Sequence, residues 1–153
     1  MANTFLKIYI HIVFSVKNRL NLISKTHKDE LAKYITGIIS NKNQKLLSIN
    51  CMPDHTHILI SINSDVKISD LVRDIKSNST KFINDNNWIV GKFSWQEGYG
   101  AFSYSECQID IVCKYIINQE EHHKKKSFKE EYIELLEKFK IQFEEKYLFD
   151  WIE

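Results

Sequence analysis

Proline occurs once and glycine four times in 153 residues. So few chain breakers leave no Pro/Gly-rich linker, and neither an internal repeat nor a low-complexity segment is present. The chain therefore reads as one domain, 1–153, long enough to bury a core. Cysteine is nearly as scarce: Cys51, Cys107 and Cys113 are odd in number and include no Cys-x2–4-Cys pair. That excludes a disulfide framework and a thiolate zinc site, and it predicts free thiols in a reducing cytoplasm. Long apolar runs are missing as well. The apolar start, residues 5–16, is interrupted by Lys7 and His11 and lacks a small-residue cleavage site. Neither a membrane span nor a signal peptide is expected. Net charge is also small, at +1, but it is unevenly spread. Residues 1–60 carry eight Lys/Arg against three Asp/Glu, whereas residues 116–153 carry seven against ten. A positive first half suits phosphates and an acidic tail suits water.

What is present is periodic. Residues 5–14 alternate and are rich in Ile, Val and Tyr, which predicts a strand. Residues 44–51 and 55–62 predict a hairpin around Pro53-Asp54, and residues 93–95 and 101–105 predict short strands around Gly98-Tyr99-Gly100. Helical spacing begins at a Thr26/Asp29 capping pair and runs to about 41. A second helix starts at Ser69 with the stripe Leu71, Val72, Ile75, Phe82 and Ile83. A third covers about 106–121, and a last one about 127–147 starts at Ser127/Glu130. This order predicts an α+β fold: a ferredoxin-like, split βαβ (βαββαβ-type) antiparallel sheet with helices on one face. Tyr9, Phe14, Leu59 and Phe82 are expected in its core.

The most informative run is Met52-Pro53-Asp54-His55-Thr56-His57-Ile58-Leu59-Ile60. On a strand, His55 and His57 leave the same face about 7 Å apart, while Thr56 points the other way. Two neutral imidazoles so placed can converge on one cation. Tyr115 and Gln119, four apart on the third predicted helix, share a face. With the Gln119 amide oxygen, the two histidines would give three ligands and leave open positions. Mixed nitrogen and oxygen ligation without thiolate suits a divalent metal ion, Mg2+ or Mn2+. A cation there would polarise a phosphodiester, and Tyr115 would attack it to form a covalent phosphotyrosine that a 3′-hydroxyl can later reverse.

Four motifs carry a resemblance: the run 11–19 (HIVFSVKNR), the run 52–57 (MPDHTH), the run 95–103 (WQEGYGAFS) and the run 115–119 (YIINQ). Together, in this order and spacing, they resemble the single-tyrosine HUH transposases of small bacterial and archaeal insertion sequences. The resemblance covers nearly the whole chain. It implies His55, His57 and Gln119 as metal ligands and Tyr115 as nucleophile. It also implies single-stranded DNA hairpins as substrate, and a homodimer whose active sites are shared between subunits. A glycine pair common before the family's tyrosine helix has no counterpart between Ala101 and Tyr115.

Lys17, Arg19, Arg73, Lys76 and Lys81 are candidate contacts to the DNA backbone, though such cations are most often a solvated face. Trp95 and Tyr99 are candidate stacking platforms for unpaired bases, or equally plugs of the sheet edge. His122, His123 and Lys124 to Lys126 could touch phosphates, but a solvated helix end is the favoured expectation. Two other functions share the chemistry or the fold. A replication initiator or a domesticated relative would use the same nuclease chemistry. A non-catalytic single-stranded nucleic-acid-binding module would need an aromatic-rich strand where this chain has His-Thr-His-Ile-Leu-Ile.

Overall fold

The computed structural model describes residues 4–145 and 148. Strand β1, Ile8–Ser15, lies in the middle of a four-stranded antiparallel sheet. Its neighbours are β3, His55–Ile62, and β4, Gly100–Tyr104, and β2, Lys45–Cys51, pairs with the far edge of β3. The order β2-β3-β1-β4 is that of the split βαβ expected. Alternation then sorts the side chains. Ile10, Ile12 and Phe14 of β1 and Ile58, Ile60 and Ile62 of β3 enter one core with the buried faces of α1, Lys28–Asn41, and α2, Ile68–Asp85. His11, Val13, His57 and Leu59 leave through the opposite face.

That opposite face is covered too, beyond the single helical layer expected. Helix α3, Ile109–Ile117, sets Val112 and Ile116 on Leu59. Helix α5, Phe128–Lys138, sets Phe128, Tyr132, Leu135 and Leu136 on Val13 and Phe102. The reason is that Val13, Leu59 and Phe102 leave apolar patches on that face, which the apolar sides of α3 and α5 cover. Between these two small apolar clusters runs a polar seam that holds the histidines.

Several boundaries differ from expectation. The third helix is broken. After α3, Asn118 takes φ −90° and ψ 21°, and a separate short helix α4, Gln119–His123, follows. The Asn50 side-chain amide donates to the carbonyls of Ile116 (2.9 Å) and Ile117 (3.3 Å), which satisfies the end of α3 and halts it there. The last helix stops at Lys138 and not near 147, because Lys140 adopts a left-handed φ of 56° and Ile141 N–H returns to the Leu136 carbonyl. Residues 146 and 147 of that expected span lie outside the described residues. Ser127 does cap α5, accepting from Glu130 N–H, whereas α1 and α2 start at His27 and Lys67 without a side-chain cap bond. Residues 93–95 form only one bridge, Val16 to Trp95, in place of a strand. Phe82 is half-buried and stacks on Tyr34 at the surface of the α1/α2 layer, with ring centroids 4.1 Å apart.

Candidate active site

His55 and His57 sit at the start of β3 opposite Ser15 and Val13 of β1, so both rings point into the polar seam. Their centroids are 5.0 Å apart, and both side chains are buried. Each ring has one nitrogen pinned from behind. The Nδ1 of His55 lies 2.6 Å from an Asp54 carboxylate oxygen, and the Nδ1 of His57 lies 2.8 Å from Nε2 of His11. Partners of this kind fix the ring orientation and leave both Nε2 atoms facing inward. Burial holds the His57 imidazole below its usual pKa, with Glu131 opposing. Burial, reinforced by the field of His57, takes His11 well below.

Tyr115 and Gln119 arrive from the other side of the seam, across the break at Asn118 and not along one continuous helix. The Tyr115 ring stands 5.9 Å from that of His57. The Gln119 oxygen is 3.3 Å from Nε2 of His55 and 2.9 Å from Nε2 of His123. Two residues of the cluster were not expected there. Glu131 comes from α5 and is 3 % exposed; its Oε1 lies 3.0 Å from Nε2 of His57 and 3.3 Å from Nε2 of His123. Its other oxygen accepts hydrogen bonds from the Tyr115 hydroxyl and from the Gln119 amide. A sequence signal for Glu131 existed: it is the carboxylate inside the apolar stripe of Phe128, Tyr132, Leu135 and Leu136, and burying a charge demands partners. His123, expected on a solvated helix end, instead turns inward. Of its expected neighbours, Lys124 pairs with Glu121 and Lys126 with Glu134 at the surface.

The electrostatics follow from this packing. Burial opposes the charge of Glu131, but hydrogen bonds from His123 and His57, and the fields of His57 and His55, hold its carboxyl far below the usual range. Burial likewise opposes charge on His123, and the hydrogen bond and field of Glu131 overcome it and raise the pKa. The Tyr115 hydroxyl is pushed well above the ordinary phenol range, first by burial and then by the charge of Glu131 and the hydrogen bond to it. His55, His57, His123 and Glu131 each present a donor atom within 4.8 Å of the others. Bonds of ~2.1 Å in a tetrahedral site leave donors ~3.4 Å apart, so the spacings around Oε1 of Glu131 fit a divalent ion. Three imidazoles, a carboxylate and an amide oxygen form a chemically apt donor set.

The expected DNA contacts divide by location. Lys17 and Arg19 follow the end of β1 near Asp54; Lys17 is exposed and Arg19 half-buried. Tyr99 is exposed. Arg73 and Lys81 are exposed on α2, across the sheet from Tyr115, and pair with Asp70, Asp74 and Asp85. Lys76 is turned inward, which corrects its assignment to the backbone of DNA. It donates to the carbonyls of Gln96 (2.7 Å) and Gly98 (2.5 Å), and burial takes its pKa down to about 8. Trp95 is corrected as well. At 7 % exposure it packs edge-on against Phe14 and Phe93, and its ring N–H donates to Ser79, so no base can stack on it.

Residues 4–119 match the family described as Transposase IS200 like. Over 116 residues, 71% of this chain and 81% of its relative, the sequence is 25% identical to the ISDra2 transposase TnpA of Deinococcus radiodurans. Two solved structures share the fold. One is a chain described as a transposase from Deinococcus radiodurans R1, with a TM-score of 0.62 and 22% identity over 78% of this chain and 95% of that one. The other is a REP-associated tyrosine transposase bound to a REP hairpin, with a TM-score of 0.61 and 16% identity over 80% and 73%. No helix among the described residues is long and apolar enough to cross a membrane.

Proposed function

The chain belongs to the IS200-like transposase family, and from that membership we propose that it cuts and rejoins single-stranded DNA at hairpin-marked element ends. Tyr115 is the nucleophile, and His55, His57 and Gln119 hold a divalent ion, Mg2+ or Mn2+. One observation carries this reading: the Tyr115 hydroxyl, both imidazoles and the Gln119 amide converge in a single buried seam within one chain.

The tyrosine oxygen attacks the scissile phosphorus, a Tyr–O–P bond forms, and the P–O3′ bond breaks to release a 3′-hydroxyl. The DNA stays attached through its 5′ phosphate, so attack by another 3′-hydroxyl reverses the step and transfers the strand. His55, His57 and Gln119 would hold a divalent ion, which would polarise the phosphate and offset the negative field that Glu131 imposes on the phenol. Pinned by Asp54 and His11, the imidazoles keep their orientation through the cycle. Lys17, Arg19 and Tyr99 are proposed contacts to the strand, whereas Arg73 and Lys81 serve the solvated face of α2. Because Tyr115 stands in its own chain's site, we assign nucleophile and ligands to one subunit; exchange across a homodimer, implied by resemblance, is the other arrangement. A sheet-face binding module fits poorly, since helices cover both faces of this sheet.

Incubation with labelled single-stranded hairpin ends and Mg2+ or Mn2+ tests the function. A denaturation-resistant complex joined through a 5′ phosphate is the expected product. Hairpin binding without any such complex, at either ion, would reduce the protein to a binding module.

A further inference from the structure

We propose that Glu131 and His123 are themselves metal ligands, so that the segment after the family match completes a three-imidazole, one-carboxylate site within a single chain. This rests on the reading of the seam as a metal centre and adds two donors to it. Both residues lie beyond residue 119, where the family match ends. Oε1 of Glu131 has the Nε2 atoms of His57, His123 and His55 around it at 3.0, 3.3 and 3.6 Å. These spacings bracket the ~3.4 Å edge expected of donors about one ion. The far nitrogens of His55 and His57 are already engaged by Asp54 and His11, as ligating histidines require. Gln119 donates its amide to the other Glu131 oxygen at 2.9 Å, which leaves Oε1 turned to the cluster.

Two consequences follow. Three imidazoles favour Mn2+, Co2+ or Zn2+ over Mg2+, which prefers oxygen and retains its water. The carboxylate also joins the ion to the nucleophile. One oxygen faces the cluster and the other accepts the Tyr115 hydroxyl, so Glu131 positions Tyr115 as well as ligating.

The test measures ion binding without DNA. Wild type, Glu131→Gln, His123→Asn and His57→Ala are titrated with Mn2+ and Co2+ by calorimetry, the Co2+ absorption spectrum is recorded, and thermal denaturation checks each fold. Wild type is expected to bind one ion per chain. Glu131→Gln and His123→Asn are each expected to bind roughly tenfold or more weakly, with a shifted Co2+ spectrum and a cooperative melt. If both bind like wild type with unchanged spectra while His57→Ala binds nothing, the metal centre stands and the α5 ligation is overturned. If wild type binds neither ion, the metal centre itself fails. Should Glu131→Gln melt without cooperativity, the decision passes to His123→Asn, whose side chain is less buried than that of Glu131, at 15% against 4% exposure.

Discussion

Nε2 of His57 and Oε1 of Glu131 stand 3.0 Å apart across a separation of 74 residues. This contact joins strand β3 to helix α5 across the seam between two apolar clusters. Phe128, Tyr132 and Leu135 hold the helix down on Val13 and Phe102, and the carboxylate is carried in with them. Apolar burial of this kind contributes about 1.5–3 kcal/mol per large side chain, enough to offset the cost of one paired charge. Packing of α5 and the chemistry of β3 are therefore coupled.

Tyr115→Phe removes one oxygen and the hydrogen bond to Glu131. The covalent protein–DNA complex is expected to vanish, with hairpin affinity within about twofold of wild type. A gel-shift titration and a denaturing gel measure the two separately. Undiminished adduct in this variant would take Tyr115 out of the mechanism.

Mixing Tyr115→Phe with His57→Ala subunits distinguishes a site within one chain from a shared one. With nucleophile and ligands in one chain, the mixture is expected to be no more active than either variant alone. Recovery of activity in a verified heterodimer would show that the tyrosine helix crosses between subunits.

Acid should weaken the fold through His11. Its folded-state pKa is depressed by burial and by His57, so the folded protein stays neutral where the unfolded chain takes a proton, near pH ~6.5. Stability is thus lost as pH falls below that value, by up to about 1.4 kcal/mol between roughly pH 7.5 and 5.5. His57 has the same sign. His123, whose pKa is raised, has the opposite sign: its contribution is full below about 6.5 and is lost as pH rises through the folded value. Urea unfolding of His11→Asn should show a smaller acid loss than wild type, and an equal loss would exclude His11 as its source.

Gly100→Ala probes the coupling without touching a donor. A Cβ there would meet Tyr132 Cε1 and Oη at 2.9 Å and Phe102 Cε2 at 3.0 Å. Overpacking of this degree costs about 1–3 kcal/mol. Because Tyr132 adjoins Glu131 on α5, we expect a lower melting temperature together with weaker Mn2+ binding. Weaker melting with unchanged Mn2+ affinity would show that the cluster does not depend on the seat of α5.

Much of the site was legible because it is local. The pairing of His55 with His57 needs only the two-residue period of a strand, and Thr56 indeed turns to the opposite face. Tyr115 and Gln119 were found at helical spacing, although Asn118 interrupts the helix; one turn of offset survives the break. Trp95 and Lys76 were misplaced for a shared reason. An aromatic ring and a long cation look alike in sequence whether solvated or inward, and only the packing of the 93–98 loop on Phe14 and α2 decides.

From its letters alone, this chain determined its succession of strands and helices and which face of β3 bears the imidazoles, since both follow from short-range periodicity, and its four motifs carried the family likeness. Tertiary structure alone decided that α5 lies on the histidine face, that Glu131 and His123 turn inward, and that Tyr115 meets its own chain's histidines. Those outcomes depend on which apolar stripe covers which patch of sheet, a long-range choice set by burial across the whole domain that no local spacing encodes.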